Sequence, residues 1–295
     1  MSSLLVLDGG RLATVQDGGR PGLAHLGVGP SGAADRASLG QVNRLLGNAE
    51  DAAAVEATLG GLVVRAQGAA DVAIGGAPAE AVVRPASGAT WTAGPGTPVQ
   101  LRDGDELALG LPVRGLRSYL GVRGGIAVQP VLGSRSRDEL AGIGPAPLTA
   151  GDRLPVGTST GAWPGVDTVP WLTDPLPRRP LRAVLGPRGD WFTPDTAKVL
   201  TDGTWRVSGD ANRTAVVLDG PTLTRSRDGE LPPEGMVRGA IQVPPSGRPT
   251  ILLADHPVTG GYPVVAVLLD RDVDRLAQLR PGDPLALHLL APAPL

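Results

Sequence analysis

The stretch Gly239–Pro263, GAIQVPPSGRPTILLADHPVTGGYP, decides how the rest of the chain is interpreted. Its centre, Thr250–Ala254, is a short apolar run that predicts a buried strand, because it is too short for a buried helix. The run ends abruptly in Asp255 and His256, and the glycines at 260–261 let a backbone or a ligand approach closely. The pattern predicts polar groups at a rigid strand end. The simpler alternative is a tight turn that closes a hairpin between two core strands.

The composition favours a mainly β fold. The chain has 295 residues, which is enough for two domains. Hydrophobic residues make up 41% of the chain and aromatic residues only 3%, so aliphatic side chains must fill the core. The 43 glycines and 30 prolines alternate with apolar runs, which indicates many short strands and turns rather than disorder.

Charge and residue usage exclude several classes of function. A net charge of -2 gives no reason to expect nucleic acid or an anionic membrane as a partner. The absence of cysteine excludes disulfides, thiolate nucleophiles and cysteine-type metal sites, and the three histidines are too scattered to suggest a metal site. No apolar run reaches the ~20 residues of a membrane span. We therefore expect a soluble, cytoplasmic protein that takes a small-molecule substrate.

The strongest helix pattern covers Ala33–Leu46, with Ser31 as its predicted N-cap. Asp35 lies in the first turn, where a carboxylate complements the helix dipole. Arg36 and Asn43 lie close together on the helical wheel. Asp35, Arg36 and Asn43 are therefore candidate functional residues. The alternative is that Asp35 only complements the dipole and that Arg36 and Asn43 are solvated.

A recurring turn suggests two β domains built on related plans. A Gly-Asp turn precedes an apolar strand at residues 104–109, 151–156 and 282–287, and an Asx turn explains its aspartate. Residues 158–180 are rich in proline and lack periodicity, which predicts a linker. The predicted domains are therefore residues 1–157 and 181–292.

Polar loops at strand ends are the chemical candidates. The loop Gly133–Asp138, GSRSRD, carries hydroxyl and guanidinium groups that suit a carboxylate, phosphate or other oxyanion. A merely solvated loop is the alternative. The sequence contains none of the common motifs for phosphate loops, serine triads or zinc hydrolases. The pattern alone therefore names no reaction.

Seven motifs nevertheless resemble one known family, the Kip-antagonist family, also called allophanate hydrolase subunit 2 or biotin-dependent carboxyltransferase-like proteins. They occur in the family's order and cover nearly the whole chain. They are VQDGGRPG (15–22), GPSGAADRASLGQVNRLLGN (29–48), VEATLGG (55–61), YLGVRGGI (119–126), LGSRSRDEL (132–140), EGMVRGAIQVPPSGRPTILLADHPVTGGYP (234–263) and LAQLRPGD (276–283).

The resemblance implies a fold and a set of partners. The expected fold is mainly β, with two tandem cyclophilin-like β-barrel domains and a few short helices. The expected activity is that of the C subunit of ATP-dependent 5-oxoprolinase. This subunit would act in a hetero-oligomer with a Kip-inhibitor-like subunit 1 and a LamB/YcsF-type protein, with ATP and Mg at the level of the complex. The alternatives are carboxyl transfer to urea, which would require biotin, and a regulatory module that binds the Kip-type inhibitor.

The motifs and the strand-end positions together predict the site residues. The predicted catalytic residues are Asp255, Arg123 and Tyr262. The predicted substrate- or nucleotide-binding residues are Pro30, Ser31, Asp35, Arg36, Asn43, Ser134, Arg135, Thr259, Gly260 and Gly261. We expect Arg123, Ser134 and Arg135 to hold the anionic group, and residues 255 and 259–262 to line a cleft between the domains. No metal ligands are predicted in this chain.

Overall fold

The computed structural model describes residues 2–94, 96–159, 161–165, 168, 179–229 and 231–291. These residues form mainly strands, together with three α-helices and two short 3-10 helices. The strands are β1 (Ser3–Gly9), β2 (Leu12–Gln16), β3 (Ala54–Thr58), β4 (Leu62–Gln67), β5 (Ala70–Gly76), β6 (Ala81–Arg84), β7 (Trp91–Ala93), β8 (Val99–Leu101), β9 (Glu106–Leu109), β10 (Arg117–Val122), β11 (Arg153–Pro155), β12 (Leu181–Leu185), β13 (Trp205–Val207), β14 (Ala215–Asp219), β15 (Glu234–Gly235), β16 (Ala240–Gln242), β17 (Thr250–Leu252), β18 (Thr259–Gly260), β19 (Val264–Leu268), β20 (Pro284–Leu285) and β21 (Leu287–Leu289). The helices are α1 (Arg36–Leu45), α2 (Thr196–Asp202) and α3 (Asp270–Leu276), and the 3-10 helices are Ala24–Leu26 and Gly189–Trp191.

The chain divides into two compact units. Unit 1 comprises the described residues of Met1–Arg20, Ser31–Asp138 and Gly142–Thr173, and unit 2 comprises those of Pro21–Pro30, Glu139–Ala141 and Asp174–Leu295. The predicted linker, residues 158–180, lies largely outside the described residues. The predicted domain limits stay a prediction.

Unit 1 contains two antiparallel sheets. Their strand orders are β11-β1-β4-β9-β6-β7 and β2-β3-β10-β5-β8. Alternate residues of β4 and β9 are buried, as the period of a half-buried strand requires, whereas every residue of β10 is buried. Aliphatic side chains from both sheets, among them Val64, Leu107, Val55 and Val72, form one core cluster. Burial of this apolar surface is the main term that stabilises unit 1.

Helix α1 packs on β5 and β10 through Val42. Gly75 and Gly121 make this approach possible, because a Cβ atom at either position would lie 2.5 or 2.3 Å from a Val42 methyl carbon. The helix buries Leu39, Val42 and Leu45 along one face. Tertiary packing of this face thus fixes the helix against the sheet that carries β3 and β10.

The start of α1 differs from the prediction. The helix begins at Arg36 rather than Ala33, and its N-cap is Asp35, whose side chain accepts a hydrogen bond from Ser38 N at 2.9 Å. Ser31 has a φ of 51° and Gly32 has a φ of +91°, so both lie in the left-handed region that ends or reverses regular structure. Ser31 is therefore part of a turn that precedes the helix, and its prediction as the N-cap was wrong.

Unit 2 is built around one eight-stranded sheet. Its order is β20-β13-β14-β17-β16-β19-β12-β21, and every pairing in it is antiparallel except that of β12 with β21. β20 and β21 follow each other in the chain but stand at opposite ends of this order, so the sheet is nearly closed into a barrel. The strand predicted over Thr250–Ala254 is present as β17, which covers Thr250–Leu252 and ends two residues earlier than predicted. The predicted mainly β, barrel-type fold with a few short helices is confirmed.

Helices close the core of unit 2. Trp205 is completely buried, and its indole Nε1 donates to Leu200 O of α2 at 2.9 Å. Val273 and Leu276 of α3 pack into the same cluster. In the part of the chain that the structure describes, no helix has the length and apolar character needed to cross a membrane.

Candidate functional site

Three motif loops of unit 1 meet in one place. The loop cluster consists of residues 16–20, 31–33 and 133–138. Arg137 O accepts hydrogen bonds from Gln16 Nε2 at 2.9 Å and from Ser31 Oγ at 3.0 Å. Ala33 N donates to Asp17 O at 3.0 Å. Segments that lie far apart in the sequence are thereby brought together, and three of the predicted binding positions, Ser31, Ser134 and Arg135, belong to this cluster.

Asp17 is the centre of the loop cluster. Its buried carboxylate accepts hydrogen bonds from Gly19 N at 2.8 Å, from Ser134 Oγ at 2.6 Å and from Arg135 N at 2.6 Å. It also accepts a hydrogen bond from Ser136 Oγ. Four donors occupy the acceptor capacity of a carboxylate, so Asp17 fixes the loop conformation rather than serving as a proton acceptor in a reaction.

The serine hydroxyls of the cluster face inward. Ser134 Oγ donates to Asp17 and accepts from Ser136 N at 2.9 Å, and Ser134 has no exposed surface. The predicted ligand contact of Ser134 stays a prediction, but its hydroxyl is engaged within the protein. Arg20 is also buried and donates from Nη2 to Ser136 O.

Arg135 is the ligand-facing candidate of this loop. It is half-buried, and its Nε donates to Val128 O at 2.9 Å, which holds the stem of the guanidinium in place. Guanidinium groups bind carboxylates and phosphates through parallel N–H donors. A held arginine on a rigid loop is therefore suited to an oxyanion, as the motif suggested.

We expect Asp17→Asn to loosen the 133–138 loop. An amide can accept at one atom only and presents donors where Asp17 now accepts from four groups, so buried donors lose their partner. The expected cost is about 1–3 kcal/mol in the free energy of unfolding, with faster hydrogen exchange in peptides covering residues 133–138. The matched control is Asp103→Asn, because exposed Asp103 accepts a single bond from Gly68 N at 2.7 Å. Unchanged exchange in the Asp17 variant would contradict this role.

A second polar network lies under α1. Glu56 of β3 is buried, and its Oε2 accepts from Tyr119 OH at 2.7 Å and from Ala34 N at 2.9 Å. Its Oε1 lies 3.4 Å from Arg117 Nε. Tyr119 OH in turn accepts from Asp35 N at 2.9 Å. The network therefore joins the start of α1 to two strands of the sheet.

Burial and charge keep Tyr119 protonated. Desolvation by burial raises the pKa of its hydroxyl well above the ordinary 10.0, and the negative charges of Glu56 and Asp35 raise it further. Tyr119 therefore acts as a neutral donor to Glu56. Asp35 was predicted as a binding residue. Its Oδ1 accepts a hydrogen bond from Ser38 N at 2.9 Å, and its Oδ2 accepts one from Ser38 Oγ at 2.6 Å.

Asn43 and Arg36 have different environments. Asn43 is completely buried, and its Nδ2 donates to Ala52 O at 2.8 Å and to Glu50 O at 3.2 Å. The alternative that Asn43 is solvated was therefore wrong. Arg36 is exposed. The structure thus does not place the two side chains in one solvent-facing site, and their ligand contacts stay predictions.

Arg123 secures a neighbouring segment of unit 1. Its Nη1 donates to Leu46 O and its Nη2 donates to Gly161 O, both at 2.5 Å. Its guanidinium lies 4.2 Å from the ring centroid of Trp163, a cation–π contact. These contacts differ from those of Ser134 and Arg135, with which Arg123 was predicted to share an anion. Its catalytic role stays a prediction.

The predicted residues of unit 2 divide into a buried and an accessible set. Asp255 has no exposed surface, and Arg213 binds it through Nε–Oδ2 at 2.8 Å and Nη2–Oδ1 at 3.0 Å. Glu139 N also donates to Asp255 Oδ2, at 3.1 Å. The predicted catalytic carboxylate is thus engaged in a buried ion pair.

The glycine loop of unit 2 is more accessible. Thr259 and Gly260 form β18, which pairs with β15, and Thr259 is exposed. Gly261 O accepts from Leu231 N at 3.1 Å. Tyr262 and Pro30 are half-buried. Among the described residues, no group of three or more His, Asp or Glu side chains is placed to hold a metal ion.

Sequence reasoning did not assign the residues that organise these sites. Asp17, Glu56, Tyr119 and Arg213 were not predicted as site residues, although each is buried and polar. One signal was present for Glu56, since a carboxylate in the middle of an apolar strand needs a buried partner. The identity of that partner depends on the fold.

Comparisons with known proteins agree with the motif resemblance. Residues 26–289 match the family described as carboxyltransferase domain, subdomain A and B. The C subunit of the 5-oxoprolinase of Escherichia coli (strain K12) is 38% identical over 288 residues, which cover 96% of this chain and 89% of that protein. The urea amidolyase of Lachancea kluyveri is 31% identical over 93% of this chain, which spans only 16% of that protein.

The architecture is shared with a solved structure. The crystal structure of TTHA0988 superimposes with a TM-score of 0.85 at 36% sequence identity, over 99% of this chain. This chain spans 56% of that one, or about half its length. The resemblance stated from the motifs is confirmed. The chain therefore belongs to the carboxyltransferase domain, subdomain A and B, family, and the C subunit of 5-oxoprolinase is one of its relatives.

Proposed function

We propose that this chain is a subunit of a 5-oxoprolinase, the hydrolase that converts the lactam 5-oxoproline to glutamate. The observation that carries the proposal is the 38% identity to the C subunit of the Escherichia coli 5-oxoprolinase, over 96% of this chain and 89% of that one. A match over nearly the full length of both chains favours a shared role more strongly than a match to one domain of a longer enzyme. The seven motifs support the same assignment.

The proposed reaction requires other subunits. A lactam carbonyl is a weak electrophile, and we propose that ATP, with Mg at the level of the complex, drives its activation. The partners would be a Kip-inhibitor-like subunit 1 and a LamB/YcsF-type protein in a cytoplasmic hetero-oligomer, and this chain alone would be inactive. The name of the relative, a subunit, supports this division of labour.

Within this chain, we assign the ligand-facing role in the loop cluster to Arg135. Asp17 and Ser136 hold the backbone of its loop, so the guanidinium stands on a rigid frame. Its charge would bind a carboxylate or phosphate group of the bound reactants. The exposed Thr259 and the half-buried Tyr262 are retained as proposed contacts of unit 2.

The test is a reconstitution. The chain is co-expressed with its subunit 1 partner, and glutamate release from 5-oxoproline is measured with ATP and the LamB/YcsF-type protein. We expect release only when all components and ATP are present. Arg135→Gln should lower kcat/KM by about tenfold or more, because a charge-assisted contact is lost. Its matched control is Arg153→Gln, an exposed arginine of the same unit that donates to Gln67 Oε1 at 2.7 Å.

Three results would contradict the proposal. Lactam cleavage by the lone chain would contradict the need for partners. A tight complex without turnover would favour the regulatory binding module. Dependence on biotin and bicarbonate would favour carboxyl transfer, the second candidate. That candidate is supported by the 31% identity to the urea amidolyase of Lachancea kluyveri over 93% of this chain.

A further inference from the structure

A groove in unit 2 is not used by the proposed function. Its volume is about 410 Å³, which is within the range of small-molecule sites. The groove runs between the Pro-Pro-Ser-Gly turn at 244–247 and the segment 222–229. The polar residues and the proline that line it are Thr222, Thr224, Arg225, Arg227, Asp228 and Pro245.

The wall of the groove is rigid. Gly247 N donates to Pro244 O at 2.9 Å, which closes the turn, and Leu223 N donates to Gly247 O at 3.0 Å. Gly247 has a φ of +74°, and a Cβ atom there would lie 2.2 Å from Thr222 Cγ2. The turn is therefore packed directly against the opposite wall. This close packing explains why the turn contains glycine at position 247. The Pro-Pro-Ser-Gly motif is not part of the loop cluster.

Arg225 is the cation of the groove that lacks a carboxylate partner among the described residues. Its Nη2 donates to Gly229 O, and its guanidinium lies 5.3 Å from the ring centroid of Trp191. Its Nε is shielded from water and has no hydrogen-bond partner within the described part of the chain. A buried donor without an acceptor is unfavourable. Its Nη1 also has no hydrogen-bond partner within the described part of the chain, so this nitrogen remains available to an anionic ligand.

The neighbouring charges determine how much negative charge the groove accepts. Arg227 is compensated by Asp190, at 3.0 Å, and lies 6.0 Å from the Trp191 ring centroid. Asp228 also lines the groove and adds a negative charge. The groove therefore favours a ligand with a single negative charge over a dianion such as phosphate. The hydroxyls of Thr222 and Thr224 offer further hydrogen bonds to a polar ligand.

We propose that this groove binds the carboxylate of a small organic acid, with Arg225 as the residue that contacts it. A guanidinium presents parallel N–H donors that match the two oxygens of a carboxylate. The contact of Arg225 with Trp191 holds the guanidinium plane in place. The site is an additional one, separate in its residues from the loop cluster.

The test is calorimetric titration of the complete chain, without ATP or partner subunits. The probes are 5-oxoproline, L-glutamate and acetate, with 2-pyrrolidone as the lactam that lacks a carboxylate and inorganic phosphate as the alternative anion. We expect saturable binding of at least one acid and none of 2-pyrrolidone. Arg225→Gln should weaken the binding by about tenfold or more.

Two further variants separate binding from folding. Asp228→Asn removes a negative charge that repels the carboxylate of the ligand, so this variant should bind the acid about two- to fivefold more tightly. Arg206→Gln should leave it unchanged, because Arg206 is an exposed arginine of the same unit that donates one bond to Gly282 O, at 2.9 Å. An unchanged affinity in the Arg225 variant, binding of 2-pyrrolidone as tight as that of 5-oxoproline, or tighter binding of phosphate would overturn the proposal. The proposal would also be overturned if none of the three acids bound at concentrations up to about 10 mM, because a Kd above that value is too weak for a specific site.

The outcome is independent of the enzyme assignment. Acid binding that requires Arg225, together with a reconstituted complex that releases no glutamate, would support the groove and contradict the 5-oxoprolinase proposal. ATP-dependent turnover of the reconstituted complex, together with no acid binding to the lone chain, would support the 5-oxoprolinase proposal and contradict the groove.

Discussion

Asp255→Ala is expected to lower the free energy of unfolding by about 3–5 kcal/mol, because it removes the carboxylate that pairs with the buried Arg213 guanidinium. Arg213 is only 3% exposed, and two of its nitrogens bind the Asp255 carboxylate. The Glu139 amide would lose its acceptor as well. Urea denaturation followed by tryptophan fluorescence measures the change.

Two control variants show whether the loss is that of a buried ion pair. Asp219→Ala removes an exposed partner of Arg248, at 2.6 Å, and should cost no more than about 1 kcal/mol. The double variant Arg213→Met with Asp255→Leu should recover most of the stability, because no unpaired charge stays buried. Loss of turnover in the reconstituted complex with an unchanged free energy of unfolding would contradict this view and support the predicted catalytic role of Asp255.

Glu56→Ala is expected to have an effect of similar size in unit 1, about 3–5 kcal/mol in the free energy of unfolding. The variant leaves Arg117, which is 4% exposed, without its carboxylate. The Tyr119 hydroxyl and the Ala34 amide also lose their acceptor. Because Ala34 lies just before α1, we expect the start of that helix to exchange amide hydrogens faster.

The matched control for Glu56 is Glu106→Ala. Glu106 pairs with Arg65 at 2.6 Å, but their side chains are 26% and 43% exposed, so the expected cost is at most about 1 kcal/mol. Urea unfolding and hydrogen exchange of peptides covering residues 31–45 check both variants. Equal effects of the two substitutions would show that the buried network contributes no more than a surface ion pair.

Local sequence signals predicted the strands better than the start of the helix. By its residue pattern alone, the segment 52–59 is compatible with a helix or a strand, and a strand would place Val55 and Ala57 on the face opposite Glu56 and Thr58. The structure has the strand Ala54–Thr58. The helix start was misplaced because Ser31 looks like an N-cap by residue type. A positive φ at Ser31 and Gly32 cannot be inferred from a serine next to a glycine.

The candidate site was predictable by its loops but not by its contacts. The motifs identified the segments that carry Asp17, Ser31 and Ser134. The contact between Asp17 and Ser134 joins residues 117 positions apart, and a single sequence carries no record of such a pairing. The same limit applies to Asp255, whose partner Arg213 is 42 positions away. Exposure was the missing quantity, because a polar residue at a strand end is compatible with both a ligand site and an internal ion pair.

The closure of the unit 2 sheet has a consequence for synthesis on the ribosome. Both ends of the strand order are completed by residues 284–289, which form β20 and β21. Until these residues leave the exit tunnel, β13 and β12 each present an unpaired backbone edge, and such edges are templates for intermolecular strand pairing. A nascent chain that stalls before residue 284 thus exposes two unpaired strand edges, those of β13 and β12, at the same time. Release of residues 284–289 at the end of elongation allows β20 to pair with β13 and β21 to pair with β12, which covers both edges.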